Sequence, residues 1–229
     1  MPGVTISAGY GAGGSMIAPA LAERLGLPML DRAISSHVAA QLQVSVQEAQ
    51  GGVIKRSGAS RFLAVLAPLA GGVLGAGTDC APPEAVLPLD EAGIFREQAE
   101  AIMRQALVAG AVILGRAGGT AFRAEPGVLR VRLFGPEEAR IVQAARIEVV
   151  DEDTARQRLP EVDRARAQYV RRLYGSDIDD PDLYHLQIDS TALSLETCVD
   201  IIATAYRSLV AALADNPADH PAPADHADA

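Results

Sequence analysis

Lysine is nearly missing from this chain of 229 residues: of its 20 basic residues, nineteen are arginine, and Lys55 is the single exception. Codon bias in a GC-rich genome is enough to exchange surface lysine for arginine. The chemistry changes with it, because a guanidinium is a planar fork that grips phosphates bidentately while an ammonium is a point charge. Cysteine is scarce as well. Cys80 and Cys198 stand 118 positions apart with no CxxC and no paired histidine spacing, which supports neither a zinc site nor a redox motif and suits two reduced core residues. Positive charge is not in excess. With a net charge of -9 and a pI near 4.9 the surface has no global basic footprint, so nucleic acid is excluded as an expected partner. The opening MPGVTIS has neither the basic nor the apolar region of a secretory signal. The uncharged stretch from Phe62 to Thr78 contains Pro68 and Gly71, Gly72, Gly75 and Gly77, and it falls short of the roughly 20 apolar residues of a bilayer helix. A soluble, cytoplasmic protein without a membrane partner is expected.

What is present is a globular composition, 49 % hydrophobic and 21 % charged, at a length that suits one large domain with an insert. GVTIS (3–7) reads as a strand, and SMIAPALAERL (15–25) as a helix with Ile17, Leu21 and Leu25 on one stripe, stopped by Gly26. LPML (27–30) is a second strand ending at Asp31. Residues 33–66 read as helices, and 67–88 as a Gly- and Pro-rich insert. A helix over 90–109 precedes the apolar strand AVIL (111–114) and the tight turn GRAGG (115–119). VLRVRLF (128–134) alternates apolar and basic residues as a strand does. Helices are expected over 136–149 and 151–174, a last strand over 184–188, and a helix over 195–213. Strands alternating with helices point to a parallel α/β sheet covered on both faces. The acidic, Pro-containing residues 214–229 read as a disordered tail.

The segment AGYGAGGSM (8–16) lies between a strand and a helix, where unpaired N–H groups and the positive helix end collect phosphate. Two fingerprints compete for it. Gly9, Gly11 and Gly14 satisfy G-x-G-x-x-G, and Asp31, 17 positions on, stands near where a dinucleotide fold carries its ribose-binding acid. The P-loop pattern G-x-x-x-x-G-K-[ST] lacks its lysine in either register: counted from Ala8, Gly14 stands in the lysine position and Ser15 supplies the hydroxyl.

Six segments in order, ISAGYGAGGSMIA (6–18), LPMLDR (27–32), VILGRAGG (112–119), VRLFGPEEARI (131–141), DRARAQYVRRLYG (163–175) and IDSTALSLE (188–196), resemble the cytidylate kinase-like family of bacterial P-loop proteins. The glycine loop of that family typically reads like YGSGG and already lacks the lysine. The resemblance implies a P-loop NTPase-like parallel sheet flanked by helices within a domain over residues 1–213. It also implies a helical nucleotide-binding insert at about 33–88 and an Arg-rich helical lid at about 151–175.

For the site, the resemblance implies ATP phosphates on Tyr10, Gly11, Ala12, Gly13, Gly14, Ser15 and Met16, with Ser15 also a ligand of Mg²⁺. Arg32 and Arg116 would bind the acceptor. Asp163, Arg166, Arg172 and Asp31 form the candidate catalytic set. In true cytidylate kinases the turn reads GRDxGT, and here Ala117 replaces the Asp. Asp163 and Arg166 at i, i+3 also fit a helical ion pair, and Asp31 fits a helix N-cap. The expected activity is γ-phosphoryl transfer from ATP to CMP, dCMP or a related small acceptor. The alternatives are a non-catalytic nucleotide-binding regulator on the same fold and an NAD-binding oxidoreductase. A small-molecule nucleotide is the expected partner, and self-association as a homodimer is left open.

Overall fold

The computed structural model describes residues 2–30 and 89–215. Five strands form one sheet: β1 (Gly3–Ala8), β2 (Met29–Leu30), β3 (Val112–Leu114), β4 (Val128–Phe134) and β5 (Leu186–Asp189). All pair in parallel, in the order β2-β3-β1-β4-β5. The helices are α1 (Gly14–Leu25), α2 (Leu89–Val108), the single turn α3 (Gly118–Ala121), α4 (Glu137–Glu148), α5 (Glu152–Tyr174) and α6 (Leu195–Asp215).

Strand order decides between the two fingerprints. A dinucleotide-binding sheet of order 3-2-1-4-5-6 sets the second strand beside the first, so that the acid at its end reaches the ribose. Here β3 lies between β1 and β2: Val4 pairs with Val112, and Val112 pairs in turn with Met29. The chain segment leading to Asp31 is thereby two strands, about 10 Å, from the glycine loop. The G-x-G-x-x-G match is a local coincidence, and the dinucleotide reading is set aside.

The two sheet faces differ. On one, Val4, Ile6 and Ala8 of β1 and Leu129, Val131 and Leu133 of β4 bury against α1 and α6. On the other, Ile113 and Val128 pack with Met103 and Leu107 of α2 and with Phe122. The same face carries the polar side chains that alternate with the core residues: Thr5 and Ser7 on β1, Arg130 and Arg132 on β4. That alternation, read from VLRVRLF, breaks the all-apolar rule for parallel strands and brings guanidinium groups toward the carboxyl edge of the sheet.

Helix ends follow the chain chemistry. Gly26 (φ 65°) closes α1 in the left-handed conformation with its N–H on the carbonyls of Ala22 and Glu23, and Asp151 caps α5 through the N–H of Thr154. Helix α6 is long and apolar enough to cross a bilayer, but its Cys198, Val199, Ile202 and Ala203 face belongs to the α1–β4 core. It also runs to Asp215, so Ala214 and Asp215 belong to the helix and not to the expected tail. Strand β5 starts two residues later than expected, because Pro181–Leu183 form a 3-10 turn capped by the Asp180 side chain. The insert at 33–88, with Asp31, Arg32 and Cys80, and the tail residues 216–229 lie outside the described residues.

Candidate functional site

The glycine loop leaves β1 at Gly9 and enters α1 at Gly14. Two of its residues, Gly11 (φ 70°) and Gly13 (φ 71°), are left-handed, a conformation L side chains rarely adopt. Helix α1 has no side-chain cap and no acidic residue in its first turn, so its positive end is open. Among the described residues the N–H groups of Gly11, Gly13, Gly14 and Ser15 meet no hydrogen-bond acceptor. Ser15 Oγ is buried and also without a partner. Free donors of this kind at a helix start make an anion site. A lysine side chain does not fit the existing backbone at position 14, where a Cβ on Gly14 would stand 2.7 Å from that of Ala8 and 3.2 Å from Leu114 Cδ1.

Three loop residues expected on phosphate are occupied otherwise. The Tyr10 N–H donates to Asp163 Oδ1 at 2.7 Å, and its ring is buried between α4 and α5. The Tyr10 hydroxyl donates to Glu148, which also accepts from Arg158; burial, then Glu148, raise the phenol well above its ordinary pKa. Ala12 is fully buried and donates its N–H to the Gly9 carbonyl. Met16 gives its N–H to Gly13 and leaves its side chain half-exposed.

Helix α5 lies against this loop. Its Asp163 bonds Tyr10 and forms an ion pair with Arg140 of α4 at 2.7 Å, and Arg166 Nη1 donates to the Ala8 carbonyl at 2.6 Å. Arg140 also donates to the carbonyls of Tyr10 and Gly135. On the strand side, Arg132 donates to Ser7 Oγ and pairs with Asp179. Together these groups line a cavity of about 210 Å³ whose walls hold Arg132, Arg140 and Arg166 with Asp163 and Asp179, and Phe134 and Ile178 as apolar surface. Three guanidiniums against two carboxylates leave one net positive charge, which suits a small anion.

The structure therefore brings Asp163 and Arg166 to the glycine loop and adds Arg132 and Arg140, which the sequence reading did not single out. Their signal was present in VRLFGPEEARI and in the density of arginine from Arg130 to Arg172. Arg116 is elsewhere. Gly115, Arg116 and Ala117 are all left-handed, and the Arg116 guanidinium stands beside Tyr169 of α5, where it opposes the rise that burial imposes on that phenol. Arg172 is exposed on the last turn of α5, outside the cavity lining. The terminal Asp189-Ser190-Thr191 is an anchor: Asp189 Oδ1 accepts from Thr191 and Ala192, and the buried Ser190 hydroxyl donates to the Ala12 carbonyl at 2.8 Å. Among the described residues no His, Cys, Asp or Glu cluster has metal-ligand geometry.

A family model described as the cytidylate kinase-like family matches residues 3–192, which include the glycine loop, Arg132 and Arg140, and the segment Asp163–Arg166. The chain belongs to the cytidylate kinase-like family. A crystal structure of an uncharacterized protein from Eubacterium ventriosum is 19 % identical to this cytidylate kinase-like chain, covers 90 % of it and 98 % of its own length, and superposes with a TM-score of 0.62, which shows a common fold. A gluconokinase from Sinorhizobium meliloti is 15 % identical, with coverage of 94 % and 97 % and a TM-score of 0.48. A shikimate kinase from Acinetobacter baumannii is 17 % identical, with coverage of 91 % and 94 % and a TM-score of 0.44. No curated protein matches the sequence. The cytidylate kinase-like fold here is thus a parallel P-loop sheet whose loop has Gly14 where the motif has lysine.

Proposed function

We propose that the protein transfers the γ-phosphoryl group of ATP to a small anionic acceptor, a nucleoside monophosphate such as CMP or dCMP. One observation carries this reading: a glycine loop whose Gly11, Gly13, Gly14 and Ser15 N–H groups and Ser15 hydroxyl meet no acceptor among the described residues begins at Ala8 and Gly9, which line the cavity that holds three guanidiniums. Phosphoryl transfer runs through a loose transition state that asks the protein for in-line positioning and for charge stabilisation on the phosphoryl oxygens, not for a covalent group. The N–H groups of Gly11, Gly13, Gly14 and Ser15 bind the donor phosphates. Ser15 Oγ fits Mg²⁺, being buried, oxygen-bearing and without a partner. When bound there, Mg²⁺ supplies charge neutralisation on the phosphate oxygens. Arg166 supplies the transition-state cation, Asp163 holds Arg140 and the loop in register, and Arg116 at the end of β3 faces the acceptor phosphate.

Thermal melting tests the ligand set directly. A ligand at 100 times its Kd adds about 2.7 kcal/mol of stability, so ATP with Mg²⁺ and CMP should each raise the melting midpoint by several degrees while NAD leaves it unchanged. Stabilisation by NAD and not by ATP would remove the kinase reading.

A further inference from the structure

Each carbonyl of the glycine loop has its own donor. Ala8 accepts from Arg166, Gly9 from the Ala12 N–H, Tyr10 from Arg140, Gly11 from Gln143 Nε2 at 2.9 Å, Ala12 from Ser190 Oγ at 2.8 Å, and Gly13 from the N–H groups of Met16 and Ile17. Four of these donors are side chains reaching in from α4, α5 and the end of β5. In a trans peptide the carbonyl of one residue and the N–H of the next point in opposite directions. Holding the Ala12 carbonyl therefore fixes where the Gly13 N–H points, and holding the Tyr10 carbonyl fixes the Gly11 N–H. Gln143 holds the peptide between them, whose N–H closes the Gly9–Ala12 turn. Bulk seals the same arrangement: a Cβ on Gly11 would stand 2.1 Å from the Arg140 carbonyl, and one on Gly13 would stand 3.1 Å from Gln143 Nε2.

We infer that Ser190 and Gln143 are positioning residues for the donor phosphates, locking the loop peptides so that fixed N–H dipoles do the work a loop lysine would share. Neither residue lines the cavity beside the loop. Both act through peptide orientation, which costs no reorganisation when the anion arrives. Side-chain donors from α4 and from the end of β5 meet three consecutive carbonyls, Tyr10, Gly11 and Ala12, of a loop that leaves four N–H groups without an acceptor among the described residues. The inference rests on the reading of this loop as the polyphosphate site.

Titration calorimetry on the full chain, with Mg²⁺-ATP, inorganic tripolyphosphate and CMP as separate ligands, tests it. Ser190→Ala removes the hydroxyl at nearly constant volume, and Gln143→Glu keeps shape on a half-buried helix position while replacing the donor by an acceptor. Each is expected to weaken ATP and tripolyphosphate by about tenfold, the worth of one hydrogen bond to a charged group, and to leave CMP within about twofold. Gln143→Glu serves as the decisive variant where Ser190→Ala lowers folding yield. ATP affinity unchanged in both variants overturns the inference alone, as does equal weakening of CMP, which would mark a general loss of structure. A wild-type chain that binds neither ATP nor tripolyphosphate overturns the loop reading and the inference together.

Discussion

Arg166→Ala is expected to lower kcat for ATP-dependent phosphorylation of CMP by about 10³-fold or more, with ATP affinity changed less than about threefold. The magnitude is that of an arginine finger, roughly 10³ to 10⁵ in rate. The position supports it: α5 carries Arg166 to the last residue of β1, with Nη1 on the Ala8 carbonyl, inside the cavity that adjoins the glycine loop. All three cavity guanidiniums have partners, Arg140 in Gly135, Tyr10 and Asp163 and Arg132 in Ser7 and Asp179, and Arg166 is singled out by its D-x-x-R spacing from Asp163. An interaction made chiefly in the transition state moves kcat and not ground-state affinity. Arg166→Lys should recover little, since an ammonium cannot bridge two phosphoryl oxygens. Initial rates over a range of ATP and CMP concentrations separate the terms. A loss below about tenfold would make Arg166 a structural tie to β1.

Gly11→Ala is expected to weaken ATP by more than about 100-fold and to cost about 3 kcal/mol of stability, a loss at the upper end for single substitutions. Two effects combine. The left-handed conformation costs an alanine about 1 to 2 kcal/mol, and the new Cβ would stand 2.1 Å from the Arg140 carbonyl, a backbone atom that cannot rotate away. The loop must move off α4, which scatters the N–H groups. Gly26→Ala is the matched control: Gly26 is also left-handed (φ 65°), but no atom lies within 4 Å of the added carbon. It should lose only about 1 to 2 kcal/mol and keep ATP affinity. Denaturant unfolding and ATP titration of the two variants side by side make the comparison, and equal ATP affinity in both would show that the loop tolerates displacement.

Local chemistry was legible in the sequence where periodicity and breakers agree. VLRVRLF forms β4 over the expected residues, Gly26 ends α1, and GVTIS and the Gly-rich segment form strand and loop. The turn GRAGG was less legible. Its Arg116 and Ala117 adopt left-handed backbone that no residue preference announces, and the short helix α3 begins directly after them. The site's deciding contacts were out of reach for a different reason. Tyr10 and Asp163 are 153 positions apart, Ala12 and Ser190 178, and only the packing of α4, α5 and β5 around the loop makes them neighbours. The same holds for Tyr10, which the motif places on phosphate and the fold buries against Glu148. The dinucleotide fingerprint is a property of six residues, Gly9 to Gly14, whereas strand order is a property of the whole sheet.

Phosphoryl transfer at a loop with no lysine is read most directly, and without a coupling enzyme, by ³¹P NMR of the protein with ATP, CMP and Mg²⁺. ADP and CDP resonances are expected to grow in equal amounts as ATP and CMP decline, and the Arg166→Ala chain is expected to yield neither on the same timescale. ATP and CMP resonances that stay constant with wild-type protein shown by calorimetry to bind ATP would contradict it, and would leave a nucleotide-binding regulator on a kinase fold.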